Sequence, residues 1–343
     1  MYDFVLRRLR RAPIVRPLWD EFERILAERD ALRAEREAAR SNAANVDVER
    51  FVADCRKLLD AGPAMRRRIE ESGFMVLPAD FNSPAPLLRD LEHSFEGAAA
   101  LYDQIFDPPV IRASMQAMAP FAPEFDPPQS GDEQTATEFF WGNTHFGFTD
   151  AVAHYGMIRH RRPTRIVEIG SGSSTLVADA AIRQNGRGEI ICIDPYIRPS
   201  IEGLKSVTQT IKRPVQEIPL AKMRELVATA DMLFIDSTHT VKIGSDCVYL
   251  YLVLLPAITK PLLVHSHDVF LPFGMPVHWA KERQHYWNEQ YLLYAWLLNN
   301  ERARVVFGSA YAAHHLPAET AALMAGKAAP GGCSLWYEIN RPE

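Results

Sequence analysis

The stretch Arg165-Ile166-Val167-Glu168-Ile169-Gly170-Ser171-Gly172-Ser173-Ser174-Thr175 decides the fold. Ile166, Val167 and Ile169 make an apolar strand, and Gly170 and Gly172 let the backbone turn tightly against a ligand. Leu176, Val177 and Ala178 carry the chain on into a helix. A strand, glycine turn and helix at the carboxyl edge of a parallel sheet form a seat for nucleotide-like cofactors. The competing reading is a purely structural turn.

The details of the turn select among cofactors. A dinucleotide fingerprint needs a third glycine or alanine, where this chain has Ser173-Ser174-Thr175. Glu168 lies two residues before Gly170 and would repel a pyrophosphate, whereas a cofactor with a positively charged amino-acid end would be welcome. A second strand, Glu189 to Asp194, ends in an acid 24 residues after Gly170. Asp194 suits the two hydroxyls of a ribose, a feature that nicotinamide enzymes share. A third strand is predicted over Pro214-Val215-Gln216-Glu217-Ile218, which would bring Gln216 near an adenine. These residues together resemble the first motifs of the class I S-adenosylmethionine-dependent methyltransferases. The resemblance implies S-adenosylmethionine as cofactor, held by Glu168, Gly170, Ser171, Gly172, Asp194, Gln216 and Asp236.

Two further strands carry the chemistry. Asp231 to Asp236 runs into Ser237-Thr238-His239, and Pro261 to Ser266 runs into His267-Asp268. If the two strands are neighbours, their tips lie about 5 Å apart. Asp236, His267 and Asp268 would then converge as ligands for a divalent cation such as Mg²⁺ or Mn²⁺. The bland alternative is that His265 and His267 hydrogen-bond in the interior. The arrangement resembles the metal-dependent O-methyltransferases related to catechol O-methyltransferase, and more closely those acting on macrolide sugars and in cephalosporin pathways. That resemblance implies Asp236, His267 and Asp268 as metal ligands, with His239, three residues after the first ligand, as general base. The sugar-type relatives usually have two acids at the end of the fifth strand. His267 in the first of those places shifts the preference towards Mn²⁺, Fe²⁺ or Zn²⁺.

The rest of the chain is read around this centre. Residues 247–255 predict a buried helix ended before Pro256. Arg304 to Phe307 and Ser334 to Ile339 predict two last strands. The resulting fold class is α/β: a Rossmann-like, seven-stranded class I methyltransferase sheet, mostly parallel with an antiparallel edge hairpin. Trp287-Asn288-Glu289-Gln290-Tyr291 resembles a segment of methyltransferases encoded with glycan-assembly enzymes. Trp287, Glu289 and Tyr291 are therefore acceptor candidates, with ordinary helix packing as the alternative. Trp141 and Asn143, in the aromatic stretch Phe139 to Gly147, are further acceptor candidates.

Domain organisation follows from composition. Residues 1–45 form a basic start and a helical segment, 46–135 a mainly helical accessory region or lid, and 136–343 the cofactor-binding domain. Leu18, Phe22, Ile25 and Leu32 stand near heptad spacing, so a short coiled coil and a homo-oligomer are expected. Arg7, Arg8, Arg10 and Arg11 among apolar residues suit peripheral contact with an anionic membrane, against the alternative of a solvated end. Phe81-Asn82-Ser83-Pro84 resembles a Phe-Tyr-Ser-Pro element of the glycan-associated relatives. A net charge of −5 argues against a general nucleic-acid binder. Four scattered cysteines without a C-x-x-C pair, and no apolar run long enough to span a bilayer, suit a reduced, cytoplasmic protein. The expected activity is O-methylation of a sugar or sugar-bearing small molecule, a glycan acceptor included. The rival is a non-catalytic scaffold of the same fold in an assembly complex.

Overall fold

The computed structural model describes residues 47–60 and 62–340. The basic start and the heptad positions Leu18, Phe22, Ile25 and Leu32 lie outside the described residues. By compactness the chain forms two units, Met1–Pro84 and Ala85–Glu343. In the first, helices Val48–Asp60 and Gly62–Glu71 precede irregular chain in which Phe74, Met75 and Phe81 are exposed.

The second unit is built on seven strands: β1 (Arg165–Ile169), β2 (Glu189–Ile193), β3 (Val207–Ile211), β4 (Met232–Ile235), β5 (Leu262–Ser266), β6 (Ala303–Gly308) and β7 (Leu335–Ile339). Their order is β3-β2-β1-β4-β5-β7-β6, parallel through β5, with β7 antiparallel to both of its neighbours. β1, β2, β4 and β5 are nearly continuous apolar runs because helices cover both of their faces. Strand order runs one way from β1 to β3 and the other way from β4 to β5. Right-handed crossovers therefore place the intervening helices on opposite faces. Phe148–Arg161 and Ser173–Asn185 pack together as one layer. The helix over residues 246–257 packs with Leu220–Ala228 and Glu289–Leu297 in the other.

Three expectations are corrected. β3 is Val207–Ile211, and Pro214–Ile218 instead holds the 3₁₀ turn Val215–Glu217. Pro214 has no N–H to give a ladder, while Thr208 and Gln209 point to solvent from an edge strand and mask its signal. The helix over 246–257 continues through Pro256 to Ala257. A π turn at Leu250–Leu254 widens the helix where the proline ring would press on the carbonyl of Leu252. Residues 85–107 are mostly irregular, with two 3₁₀ turns, Asp90–His93 and Tyr102–Gln104, before helix Pro108–Met118. No helix among the described residues is long and apolar enough to cross a membrane.

Candidate active site

Strand register brings the chemistry to one level. Ile169 of β1 stands opposite Ile193 of β2 and Ile235 of β4, and Ile235 stands opposite Ser266 of β5. The next residue of each strand therefore leaves the sheet at the same height. The Gly170 N–H donates to Ile193 O, Asp236 N–H to Ile169 O, and His267 N–H to Ile235 O. Gly170, Asp194, Asp236 and His267 are thus the successive tips of β1, β2, β4 and β5. A surface cleft at the opposite edge, beside Arg161, Thr164 and Asp231, gathers none of these residues.

The turn after β1 is shaped by its neighbours. Gly170 has φ 78°, and a Cβ there would lie 1.9 Å from the carbonyl oxygen of Asp236. Only glycine lets the tips of β1 and β4 approach this closely. Asp194 closes the turn by accepting the Ser171 backbone N–H at 3.0 Å and the Ser171 hydroxyl at 2.7 Å. Thr175 Oγ1 accepts the Gly172 N–H at 2.9 Å and fixes the start of the helix. Glu168 is buried beneath the turn, where Oε1 takes the Ser174 hydroxyl at 2.6 Å and Oε2 has no partner. Burial pushes its carboxyl up to about 8, against the pull of Ser174 and Thr175. Arg198, which nothing in the sequence singled out, reaches over Gly172 and donates to Glu133 O. Gln216 is exposed on the 3₁₀ turn after β3, with a backbone unlike the strand predicted for it.

Around β4 and β5 the structure brings four predicted residues into one cluster. His239 Nε2 lies 3.2 Å from Asp236 Oδ1 and 3.3 Å from Asp268 Oδ2. His267 Nδ1 lies 3.6 Å from Asp236 Oδ1 and 3.8 Å from Asp268 Oδ1. His239 and Asp268 both hold left-handed backbone, φ 56° and 55°. Such strain at non-glycine residues persists only where the surroundings enforce it, and it gathers at functional sites. Burial opposes protonation of His239, but hydrogen bonds to Asp236 and Glu289 lift it to about 10. For His267 the same opposition is outweighed by the charges of Asp268 and Asp236. Asp236 is in turn held well below the usual carboxylate range: burial acts against ionisation and the charge of His267 overrides it. The two acids therefore draw positive charge inward.

The acceptor candidates divide. Glu289 is corrected from an acceptor contact to a support: it is buried, and Oε2 accepts His239 Nδ1–H at 2.8 Å while Tyr251 donates to Oε1. Asn143 is corrected likewise, because its amide donates to Phe140 O and Phe146 O while Oδ1 accepts the N–H groups of His145 and Phe146. All of its capacity goes into holding its own loop. Trp141 packs edge-on against Phe125 and Phe139, part of the core. Trp287 is half-buried, its ring 4.6 Å from that of His239, stacked 4.7 Å from His285 and edge-on to Trp279 at 5.4 Å. Tyr291 is also exposed, with its ring 6.0 Å from that of Phe95.

Residues 167–269, from β1 past the tip of β5, match the family model of a methyltransferase domain. Over that span the chain carries a methyltransferase domain. An uncharacterized protein of Archaeoglobus fulgidus is 28% identical over 166 residues, which cover 44% of this methyltransferase and 73% of that protein. Among solved structures, the O-methyltransferase TomG of Streptomyces achromogenes, with S-adenosylmethionine, is 14% identical with a TM-score of 0.34. The match covers 68% of this chain and 91% of TomG. The methyltransferase PaMTH1 of Podospora anserina, bound to S-adenosylhomocysteine, is 17% identical with a TM-score of 0.33. That match covers 68% of this chain and 93% of PaMTH1. Likenesses at this level add nothing on the acceptor of this methyltransferase.

Proposed function

We propose that this methyltransferase transfers a methyl group to a hydroxyl of a sugar or sugar-bearing small molecule. His239 is the general base, and Asp236, His267 and Asp268 hold a divalent cation. The observation that carries this reading is the environment of His239. Its Nδ1–H is fixed by a buried Glu289, and its Nε2 faces the two acids at the tips of β4 and β5.

The residues fit both implied groups. The unpartnered, buried Oε2 of Glu168 suits the ammonium of the methionine end of S-adenosylmethionine. Two carboxylates and the unpartnered Nδ1 of His267 are a hard-to-borderline donor set, suited to Mn²⁺, Mg²⁺ or Zn²⁺. When bound, the cation would lower the pKa of the acceptor hydroxyl and orient it, and S-adenosylmethionine would present an electrophilic methyl on its sulfonium.

The protein's own part is positioning and proton transfer. With the negative charge that keeps His239 protonated offset by a cation at Asp236 and Asp268, Glu289 on Nδ1–H leaves the Nε2 lone pair facing the acceptor. Nε2 of His239 would take the proton that the acceptor hydroxyl gives up on methylation. Tyr291 offers an exposed aromatic ring and Trp287 a half-buried one beside His239, and aromatic rings suit the C–H face of a pyranose.

Calorimetric titration with S-adenosylhomocysteine, with NAD in parallel, tests the cofactor. Micromolar binding of the first and silence with the second is the expected result; the reverse would overturn the assignment of Glu168. His239→Ala should lower turnover about 10²- to 10⁴-fold while S-adenosylhomocysteine binds as before. Unchanged turnover would remove His239 as the base.

A further inference from the structure

Behind the cation ligands lies a carboxylate with no assigned part. Asp150 sits in the first turn of the helix Phe148–Arg161 and is 2% exposed. Its Oδ2 accepts the backbone N–H of Cys333 at 2.9 Å and lies 3.5 Å from His267 Nε2. His267 is the one basic side chain paired with it among the described residues. Gly332, at φ 113°, gives the carboxylate its room, since a Cβ there would lie 2.4 Å from Asp150 Oδ1. The other nitrogen of His267 is Nδ1, buried and without a hydrogen-bond partner, aimed between Asp236 and Asp268.

We infer that Asp150 is a positioning residue of the cation site, acting through His267. The inference rests on the cation reading given above. A neutral imidazole has one N–H, and the acceptor on one side decides which nitrogen keeps a lone pair for the other. Asp150 takes the Nε2–H, so the lone pair of Nδ1 points at the space shared by Asp236 and Asp268. Cys333 supports the same arrangement twice. Its N–H holds Asp150, and its thiol donates to Asp268 Oδ1 at 3.1 Å. A carboxylate behind a ligating histidine fixes the ring and raises its basicity, and its loss typically costs about 10- to 100-fold in metal affinity.

The test uses the full chain and Mn²⁺, followed by calorimetry, with S-adenosylhomocysteine affinity as the check on the fold. Asp150→Ala should bind Mn²⁺ about 10- to 100-fold more weakly at an unchanged one ion per chain. Asp150→Asn, which keeps a neutral acceptor, should fall between it and the parent protein. Histidine nitrogen resonances of the parent protein loaded with Mg²⁺ should show the proton of His267 on Nε2, a readout that needs no variant. Parent-like Mn²⁺ affinity in Asp150→Ala, or a proton on Nδ1 in the loaded protein, would overturn the inference. A stoichiometry that drops from two ions to one would also overturn it, because Asp150 would then itself be a ligand beside Cys333. If the parent protein binds S-adenosylhomocysteine but takes up no Mn²⁺, the cation reading fails and this inference falls with it.

Discussion

Asp236→Ala should give a folded protein that still binds S-adenosylhomocysteine and transfers no methyl group. The backbone of Asp236 does the structural work, its N–H bonding Ile169 O and its carbonyl packing against Gly170, and alanine keeps both. What is lost is the nearer of the two carboxylates that face both His239 Nε2 and His267 Nδ1. On the proposed reading a cation would lose an anionic ligand, and His239 loses one of the hydrogen bonds that favour its charged form. Turnover in a methyl-transfer assay, read beside a titration with S-adenosylhomocysteine, separates the two parts of the prediction. Parent-like turnover would end the reading of β4 and β5 as a cation site.

Gly170→Ala should fail earlier, at the cofactor. The left-handed φ of 78° disfavours any side chain, and the added Cβ would stand 1.9 Å from Asp236 O. Backbone on both sides of that contact belongs to buried strands, so relief requires β1 and β4 to part at their tips. We expect a loss of about 3 kcal/mol or more in denaturant unfolding, as for other forced backbone collisions, together with loss of S-adenosylhomocysteine binding. The two changes should come together because one carbonyl borders both the cofactor turn and the acid cluster. A stable variant that binds the ligand normally would show that the two tips tolerate more separation than their geometry implies.

The sheet was legible in the sequence wherever strands are buried on both faces. β1, β2, β4 and β5 are apolar runs ending in glycine, acid or histidine, and their ends mark the tips. β3 was not legible, because an edge strand reading Val-Thr-Gln-Thr-Ile carries polar residues where the central strands carry apolar ones. The candidate site was legible only as far as local spacing reaches. His239 follows Asp236 by three residues, whereas its support Glu289 lies 50 residues further on and reads from the sequence as an acceptor contact. Asp150 gave no signal, since a lone aspartate in the first turn of a helix reads as a favourable charge at that end. Asn143 and Trp141 misled for the opposite reason: polar and aromatic residues in a loop look available until their partners are known.

The place of β7 has a consequence for how this protein is made. Among the described residues β6 pairs with β7 alone, and β7 separates it from β5. A ribosome delivers β6 before β7, so a growing chain holds β6 as an unpaired edge while residues 309–334 are added. The same final strand is preceded by Cys333, whose groups hold Asp150 and Asp268. Until that segment emerges, the nascent protein has both an open sheet and an incomplete acid cluster. A translation product cut short before Cys333 would lack both the partner strand of β6 and the groups that hold Asp150 and Asp268.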